Sequence, residues 1–339
     1  MEKVYFSPEK DGFCGVYYPN QKATDKAMII MLGDSSDDRM AVSGVKWAQK
    51  LGCNVMAMSP AKQDYGHHNY PLERFEKAVS YLKAQGNKKI GIAGASTTGM
   101  MALVAASYFP DITLTIAISP PDFIMEGFYQ DGKDGAHERP GDNESSISYH
   151  GEPLPYLPYA YRHPTYWQMI QKESQEGGDI IASRKMFDES ERLHPVQESE
   201  KIKVENIKGR IIFVGAEDDV LWDTCKYIRR MEKRLVETPH ECQYEALLYE
   251  HGTHFAFPQS MLNIMMPVIG SLFVGIAFRA GRKFPRECKQ TRLDIDEKLS
   301  DAIRCWSRCG TQDEQAVDCG FCVLQMLYPI GAEKTNRSG

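Results

Sequence analysis

The chain has 339 residues, 42% of them hydrophobic, so it can bury one sizeable core, and disorder as its main state is excluded. Its formal net charge of −6 provides no basic surface for neutralising phosphates, which argues against nucleic acid as a partner. The first residues contain no apolar segment typical of a signal peptide, so we expect a cytoplasmic protein whose nine cysteines are free thiols.

Short apolar runs alternate with helical patterns over the first third of the chain. Two early segments, VYFSP and GVYYP, predict an antiparallel lead-in, and a helix with apolar residues on one face is predicted over residues 72–82. Four runs predict buried strands: AMIIML (27–32), CNVMAM (53–58), KIGIAGA (89–95) and ITLTIAI (112–118). This order is typical of an α/β fold with a mostly parallel central sheet and helices on both faces.

The alternation stops between residues 119 and about 200, where the sequence is rich in Gly, Pro, Tyr and charged residues. A structureless loop of this length is uncommon in a compact domain unless it covers something. We therefore predict a lid or cap insertion at 119–200.

Regular alternation resumes after the insertion. The sequence predicts strands at 209–215 and 243–249 and helices near 224–236 and 289–304. These elements complete a predicted catalytic domain over residues 1–306.

The run MLNIMMPVIGSLFVGIAF (261–278) approaches the length of a membrane span. It contains Asn263, Pro267, Ser271 and two glycines, however. We therefore predict a buried loop and helix here and no membrane span.

The predicted C-terminal tail, 307–339, begins within a group of four cysteines. Cys305, Cys309, Cys319 and Cys322 form the pattern C-x3-C-x9-C-x2-C. Zinc sites are built from cysteine pairs, but the first pair here is widely spaced and the spacer between pairs is short. We predict no metal and no other cofactor, with zinc at these cysteines as the alternative.

Ser96 lies in the stretch GASTTG, between the strand KIGIAGA and a predicted helix. This is the context of a nucleophile elbow, a strained turn that holds a serine hydroxyl above the carboxyl edge of a sheet. Strand and helix approach closely in such a turn, so small residues are expected two positions before and after the serine. Gly94 meets the first requirement, whereas Thr98 occupies the second position and Gly99 follows it. Taken alone, the motif is equally compatible with a serine that caps the helix.

A nucleophilic serine needs a base and a carboxylate that orients this base. Where an elbow is present, the three groups follow in the order Ser, Asp, His, each after a later strand. The loops GAEDDVLW and EHGTHF follow the last two predicted strands. We predict Ser96 as nucleophile, Asp219 as acid and His254 as base, with Asp218 as an alternative acid and His251 as a surface or supporting residue.

An oxyanion hole requires main-chain N–H groups near the nucleophile. We predict the amide of Thr97, together with that of Asp34 or Ser35 in the loop LGDSSDD after the first central strand. The same loop resembles the nucleophile motif of the GDSL hydrolases, with Ser35 as nucleophile. That family has a D-x-x-H motif near its C-terminus, and the match here, DYGH at 64–67, comes far too early.

Several motifs in combination are similar to one branch of the α/β-hydrolase superfamily. They are YPLERFEKAVSYL, AISPPDFIMEGF, GEPLPYLP, VGAEDDVLW and YEHGTH, within residues 20 to 305. Together they resemble the acyl-CoA thioester hydrolase and bile-acid-CoA:amino-acid N-acyltransferase family. The resemblance implies an α/β-hydrolase fold with Ser96 as the acyl-accepting nucleophile, Asp219 as acid through its D-D-x-x-W pattern, and His254 as base.

The chain departs from the family pattern at Thr98, where the family has glycine, and in the loop GDSSDD, which lacks the family's glycine run. Family transferases use a cysteine nucleophile and thioesterases a serine, so Ser96 implies hydrolysis. We expect a small-molecule acyl thioester or ester as substrate, with the acyl chain left open, and the aromatic segment PYLPYAYRHPTYW (155–167) either forming the acyl pocket or packing on the sheet. The alternatives are an esterase or peptidase acting on a non-CoA substrate, an N-acyltransferase, and a binding protein without catalysis; the oligomeric state is left open.

Overall fold

The computed structural model describes residues 2–33, 35–60, 67–127, 144–162, 165–267 and 270–306. The predicted tail, 307–339, lies outside the described residues, and so do Cys309, Cys319 and Cys322. Asp34, one of the two predicted oxyanion donors of its loop, also lies outside them.

Eleven strands occur within the described residues. They are β1 (Val4–Phe6), β2 (Gly15–Tyr18), β3 (Lys26–Met31), β4 (Asn54–Ala57), β5 (Tyr70–Pro71), β6 (Lys89–Ala95), β7 (Ile112–Ile118), β8 (Ile147–Tyr149), β9 (Glu152–Pro153), β10 (Arg210–Ala216) and β11 (Gln243–Tyr249). Eight of these form the central sheet in the order β1-β2-β4-β3-β6-β7-β10-β11. The pairs β1–β2 and β2–β4 are antiparallel, and all other neighbours in this sheet are parallel. The predicted antiparallel lead-in and parallel sheet are confirmed.

Eleven α-helices are described around the sheets. They are α1 (Pro8–Asp11), α2 (Arg39–Lys50), α3 (Glu73–Ala84), α4 (Thr97–Tyr108), α5 (Thr165–Gly177), α6 (Arg184–Leu193), α7 (Thr224–Glu237), α8 (Gln259–Met265), α9 (Gly270–Ala277), α10 (Arg279–Lys283) and α11 (Pro285–Trp306). The interior strands are mostly apolar because helices cover both faces of the sheet. One core contains side chains of α3, α4 and α7, and the other contains side chains of α2, α8 and α11. This arrangement is the α/β-hydrolase fold, as predicted.

The segment predicted as an insertion contains regular structure that the sequence did not indicate. Strands β8 and β9 join β5 in a small second sheet, and helices α5 and α6 follow. The start of α6 lies on the loop after β10, because the amides of Ser183 and Arg184 both donate to the carbonyl of Val220, at 3.0 and 3.1 Å. The insertion therefore contacts the sheet edge at which the parallel strands end.

The apolar run at 261–278 forms two short helices, α8 and α9, rather than one long helix. Helix α8 packs into the core, whereas α9 exposes Leu272 and Ile276, so this segment is less buried than the sequence suggested. Within the described residues, no helix has the length and hydrophobicity required to cross a membrane.

Candidate active site

Ser96 occupies the turn between β6 and α4 in a strained conformation. Its backbone has φ 60° and ψ −130°, which is rare for a residue other than glycine and concentrates at functional sites. Its side chain makes no capping hydrogen bond to α4, so the alternative reading as a helix cap does not describe this serine. A Cβ on Gly94 would lie 2.1 Å from the carbonyl oxygen of Thr98, which explains why the chain has glycine there.

Thr98 supports the turn although it stands where the motif has glycine. Its hydroxyl lies 2.7 Å from the carbonyl of Met31 at the end of β3 and 2.8 Å from that of Ala95, and it accepts the Ala95 amide at 3.0 Å. The side chain therefore turns toward β3 and connects it to the elbow. The close approach falls instead on Gly99, where a Cβ would lie 3.0 Å from the carbonyl of Ile118.

Asp219 and His254 form a buried acid–base pair. Nδ1 of His254 lies 2.8 and 3.0 Å from the two carboxylate oxygens, and both side chains are at most 4% exposed. The Asp219 carboxylate also accepts hydrogen bonds from the Leu221 amide and the Thr224 hydroxyl. These donors fix the carboxylate in the orientation that holds the imidazole.

The second ring nitrogen of His254 is left with an unused lone pair. A carboxylate only accepts hydrogen bonds, so Nδ1 carries the hydrogen and Nε2 is the basic nitrogen. Within the described part of the chain, Nε2 is buried and has no hydrogen-bond partner, and Ser96 is therefore not bonded to it. A catalytic hydrogen bond of this kind often tightens only in the complex with substrate.

The strand register brings Ser96 and the acid–base pair to the same side of the sheet, at the carboxyl ends of its parallel strands. Ala95 pairs with Ile118, and Ile118 with Val214, so β6, β7 and β10 end side by side. Ser96 follows the first of these strands directly, and the loop of Asp219 follows the third.

Ser119, which was not among the residues predicted from the sequence, connects these parts. It directly follows β7, has φ 48° and is buried. Its hydroxyl donates to the carbonyl of His254 at 3.2 Å, and its carbonyl accepts the indole N–H of Trp222 at 3.1 Å. The Trp222 ring in turn packs edge-on against the His254 ring at 4.7 Å. The D-D-x-x-W spacing was the available signal for Trp222; Ser119 had none beyond its place at a strand end.

A second His–Asp pair lies beside the first. Asp218 Oδ2 is 2.9 Å from Nδ1 of His251, with side chains 31% and 22% exposed. The His251 ring stacks on Phe284 at 3.7 Å, and its carbonyl accepts the Thr291 hydroxyl. His251 is therefore held between a carboxylate and a phenyl ring, away from Asp219.

Of the predicted oxyanion donors, the Thr97 amide is available at the start of α4, whereas the Ser35 amide already has a partner. Thr97 is the first residue of α4, where main-chain amides have no partner within the helix. The Ser35 amide donates to Oδ2 of Asp38 at 3.1 Å, so it is engaged within its own loop. The Ser35 hydroxyl donates to Asp37, at 2.8 Å, rather than to a histidine.

The described residues contain no group of three or more His, Cys, Asp and Glu side chains arranged to hold a metal ion. Cys305 is half-buried, and its three companions in the predicted zinc motif lie outside this part of the chain.

The topology makes this protein an α/β-hydrolase, an enzyme of the class in which a serine elbow and an Asp–His pair meet at the sheet edge. The chain belongs to the family described as BAAT / acyl-CoA thioester hydrolase C terminal, which matches residues 70–265. BAAT denotes the bile-acid-CoA:amino-acid N-acyltransferases, so the predicted family is confirmed. No curated protein matches the sequence.

Solved structures of several esterases and hydrolases are similar in fold. Est1E from Butyrivibrio proteoclasticus is 13% identical with a TM-score of 0.42, over 88% of this chain and 100% of that chain. The Pyrococcus furiosus esterase Pf2001 is 12% identical with a TM-score of 0.45, over 89% and 95%. The 2,6-dihydroxy-pseudo-oxynicotine hydrolase is 12% identical with a TM-score of 0.43, over 90% and 68%. At these identities and scores we transfer no activity from them.

Proposed function

We propose that this protein is a serine hydrolase that cleaves an acyl thioester of CoA, or a related ester, through an acyl-enzyme. Ser96 is the nucleophile, His254 the general base and Asp219 the residue that orients the base. The observation that carries the proposal is the buried Asp219–His254 pair, whose Nε2 is free to accept a proton at the edge where Ser96 lies. The family description supports the thioester as the substrate class.

The first half-reaction forms the acyl-enzyme. The Ser96 oxygen attacks the carbonyl carbon while its proton passes to Nε2 of His254, and Asp219 stabilises the resulting imidazolium. The negative charge that develops on the carbonyl oxygen is stabilised by the Thr97 amide and the positive end of α4. The carbon–sulfur bond then breaks, and the thiol leaves with the proton from Nε2.

The second half-reaction returns the enzyme to its starting state. A water molecule gives its proton to Nε2 and attacks the acyl carbon, and the proton then passes to the Ser96 oxygen as the acid is released. An oxygen ester is open to attack by water, whereas a thioester on a cysteine reacts comparatively better with amines. The serine therefore favours hydrolysis over transfer to an amino acid.

The insertion at 119–200 is proposed as the cap of this site. A chain of buried aromatic rings leads from it to the base: Tyr159 contacts Phe187 at 5.5 Å, Phe187 contacts Trp222 at 5.2 Å, and Trp222 contacts His254. Tyr159 also belongs to the core that contains side chains of α3, α4 and α7. The aromatic segment therefore packs into this core and also borders the proposed site. The proposed cytoplasmic location is supported by the free thiols of Cys14, Cys53, Cys225, Cys242 and Cys288.

The test is the release of free thiol from short, long and steroidal acyl-CoAs by the wild-type protein and by Ser96→Ala. Ser35→Ala is the matched control, because Ser35 is the nucleophile of the rival GDSL reading. We expect thiol release that vanishes in Ser96→Ala and persists in Ser35→Ala, and a fluorophosphonate probe that labels only proteins with Ser96.

Other outcomes separate the alternatives. Turnover of oxygen esters without any thiol release would replace the thioesterase by an esterase. Formation of an amide from added glycine or taurine in preference to the free acid would indicate an N-acyltransferase. A wild-type protein that neither labels nor turns over any ester would point to a binding protein that retains the fold.

A further inference from the structure

A cleft with basic walls lies beside the Asp–His loops and takes no part in the mechanism above. It has a volume of about 380 Å³ and lies between α10 and the loop after β10. We call it the α10 cleft; its lining residues are Asp218, Arg279, Ala280, Arg282, Lys283 and Phe284.

Three of the six residues that line the α10 cleft are cations, against one carboxylate, that of Asp218. Arg279 pairs with the buried carboxylate of Asp179 at 2.9 Å. Among the described residues, Arg282 donates to the main-chain carbonyls of Ile276 and Gly177, and Lys283 lies over the Phe284 ring at 4.9 Å. Within the described ranges, neither Arg282 nor Lys283 has a carboxylate partner. The one acid of the cleft, Asp218, is engaged with His251.

This local charge is opposite in sign to that of the whole chain, which has a net charge of −6. A polyanionic ligand is repelled by such a protein unless a local group of cations attracts it. The α10 cleft supplies that group through Arg279, Arg282 and Lys283.

The position of the cleft suits the far end of a long substrate. Asp218, on its wall, is the neighbour of Asp219, and the strand bearing their loop lies two strands from Ser96, roughly 10 Å away at normal strand spacing. CoA carries its diphosphate and 3′-phosphate at the far end of the pantetheine arm, away from the thioester. Its phosphates are therefore expected at a distance from the serine and not beside it.

We propose that the α10 cleft binds the phosphate groups of a CoA thioester, an inference that rests on the proposed function. Lys283 and Arg282 contact the phosphates, and the Arg279–Asp179 pair holds the wall of the cleft against the insertion. Phe284 keeps Lys283 over one of its faces while His251 stacks on its ring at 3.7 Å, so the cation is positioned before the ligand arrives. Charge-assisted contacts of this kind are the usual means of binding phosphate.

The test is calorimetric titration of CoA, adenosine 3′,5′-bisphosphate and pantetheine into the wild-type protein, Lys283→Glu and Lys289→Glu. Lys289→Glu makes the same change of charge at an exposed residue outside the cleft. We expect Lys283→Glu to raise the Kd of CoA and of the bisphosphate by about tenfold or more, and Lys289→Glu to change these Kd values by less than about threefold. The Kd of pantetheine, which has no phosphate, should be the same in both variants as in the wild type. Equal losses in the two variants, or no binding of CoA by the wild type, would overturn the proposal.

Activity measurements separate this proposal from the proposed function. If the cleft binds CoA, Lys283→Glu raises KM for an acyl-CoA and leaves kcat and the hydrolysis of acyl-pantetheine unchanged. Binding of CoA that depends on Lys283, without any acyl-CoA turnover, would contradict the thioesterase proposal and support the α10 cleft as a phosphate site. Turnover of acyl-CoA with an unchanged KM in Lys283→Glu would support the thioesterase and exclude the α10 cleft as its phosphate site.

Discussion

Asp218 and Asp219 are neighbours in the sequence, but their carboxylates hold different histidines. Asp219 binds His254 in a pair with almost no exposed surface, and Asp218 binds His251 in a pair open to solvent. The two pairs have similar N···O distances, 2.8 and 2.9 Å, and differ in burial and in the contacts around them. A comparison of the two pairs therefore tests whether the buried one alone takes part in catalysis.

Asp219→Asn should abolish most turnover, whereas Asp218→Asn should not. An amide at Asp219 can donate to Nδ1 of His254, which favours the tautomer with the hydrogen on Nε2 and removes the base. We expect kcat for thioester or ester hydrolysis to fall by about 10³- to 10⁴-fold in Asp219→Asn, and by less than about threefold in Asp218→Asn. Circular dichroism of both variants checks that they fold. Similar losses in the two would contradict the assignment of roles.

The sequence favoured Asp219 over Asp218 only through the family's D-D-x-x-W pattern and left Asp218 open, whereas much of the fold could be predicted from apolar patterning. Strands covered on both faces appear as continuous apolar runs, so the central strands and the loops that follow them were predictable. Which aspartate turns inward after β10 depends on the Leu221 amide and the Thr224 hydroxyl, which a linear motif does not reveal.

The insertion shows a second limit of sequence reasoning. Helix α6 is strongly polar and buries few side chains, among them Met186 and Phe187, so its pattern does not stand out from the charged residues around it. Its position is fixed by tertiary contacts, such as Phe187 against Trp222. The sequence therefore indicated that an insertion is present here, but it did not indicate the helices and strands within it.

The turn at Ser96 should not tolerate a methyl group at Gly94. The added Cβ would lie 2.1 Å from the Thr98 carbonyl oxygen, a main-chain atom that can move only if the turn itself moves. We expect Gly94→Ala to lose at least about 3 kcal/mol of unfolding free energy in urea titration, together with activity. Gly275→Ala in α9, where a Cβ meets nothing within 4 Å, is the control and should change stability by less than about 1 kcal/mol.

The hydroxyl of Thr98 should matter more than its methyl group. Thr98→Val keeps the shape but leaves the Ala95 amide and the Met31 carbonyl without the hydroxyl, and we expect a loss of about 1–3 kcal/mol in unfolding free energy with a lower kcat. Thr98→Ser keeps the hydroxyl and should retain most of the unfolding free energy and of kcat. A valine variant as stable and active as the serine variant would show that the hydroxyl does not support the elbow.

Arg230 ties the start of the insertion to α7, and its removal should destabilise the protein in a pH-dependent way. Its guanidinium donates to the buried carboxylate of Asp122 and, at 2.6 Å, to Glu191 on α6. Breaking a buried pair leaves a charge without its partner. Because Arg230 is about one-third exposed, we expect Arg230→Met to cost about 2–3 kcal/mol at pH 7. Arg229→Met, which breaks an exposed pair with Glu217, is the control and should cost less than about 1 kcal/mol.

The pH dependence of Arg230→Met follows from the more deeply buried of the two carboxyl groups that remain, that of Asp122. Burial already raises the pKa of Asp122, and the hydrogen bonds and charge of Arg230 oppose that rise, so the variant raises this pKa further. A carboxyl group with a raised pKa in the folded state costs stability as the pH rises from its unfolded value through its folded value. The deficit of Arg230→Met relative to wild type should therefore be largest near neutral pH and should narrow as the pH is lowered to about 5. Urea titrations of both proteins at several pH values measure it, and a deficit that widens toward acid would mean that Asp122 is not the group left uncompensated.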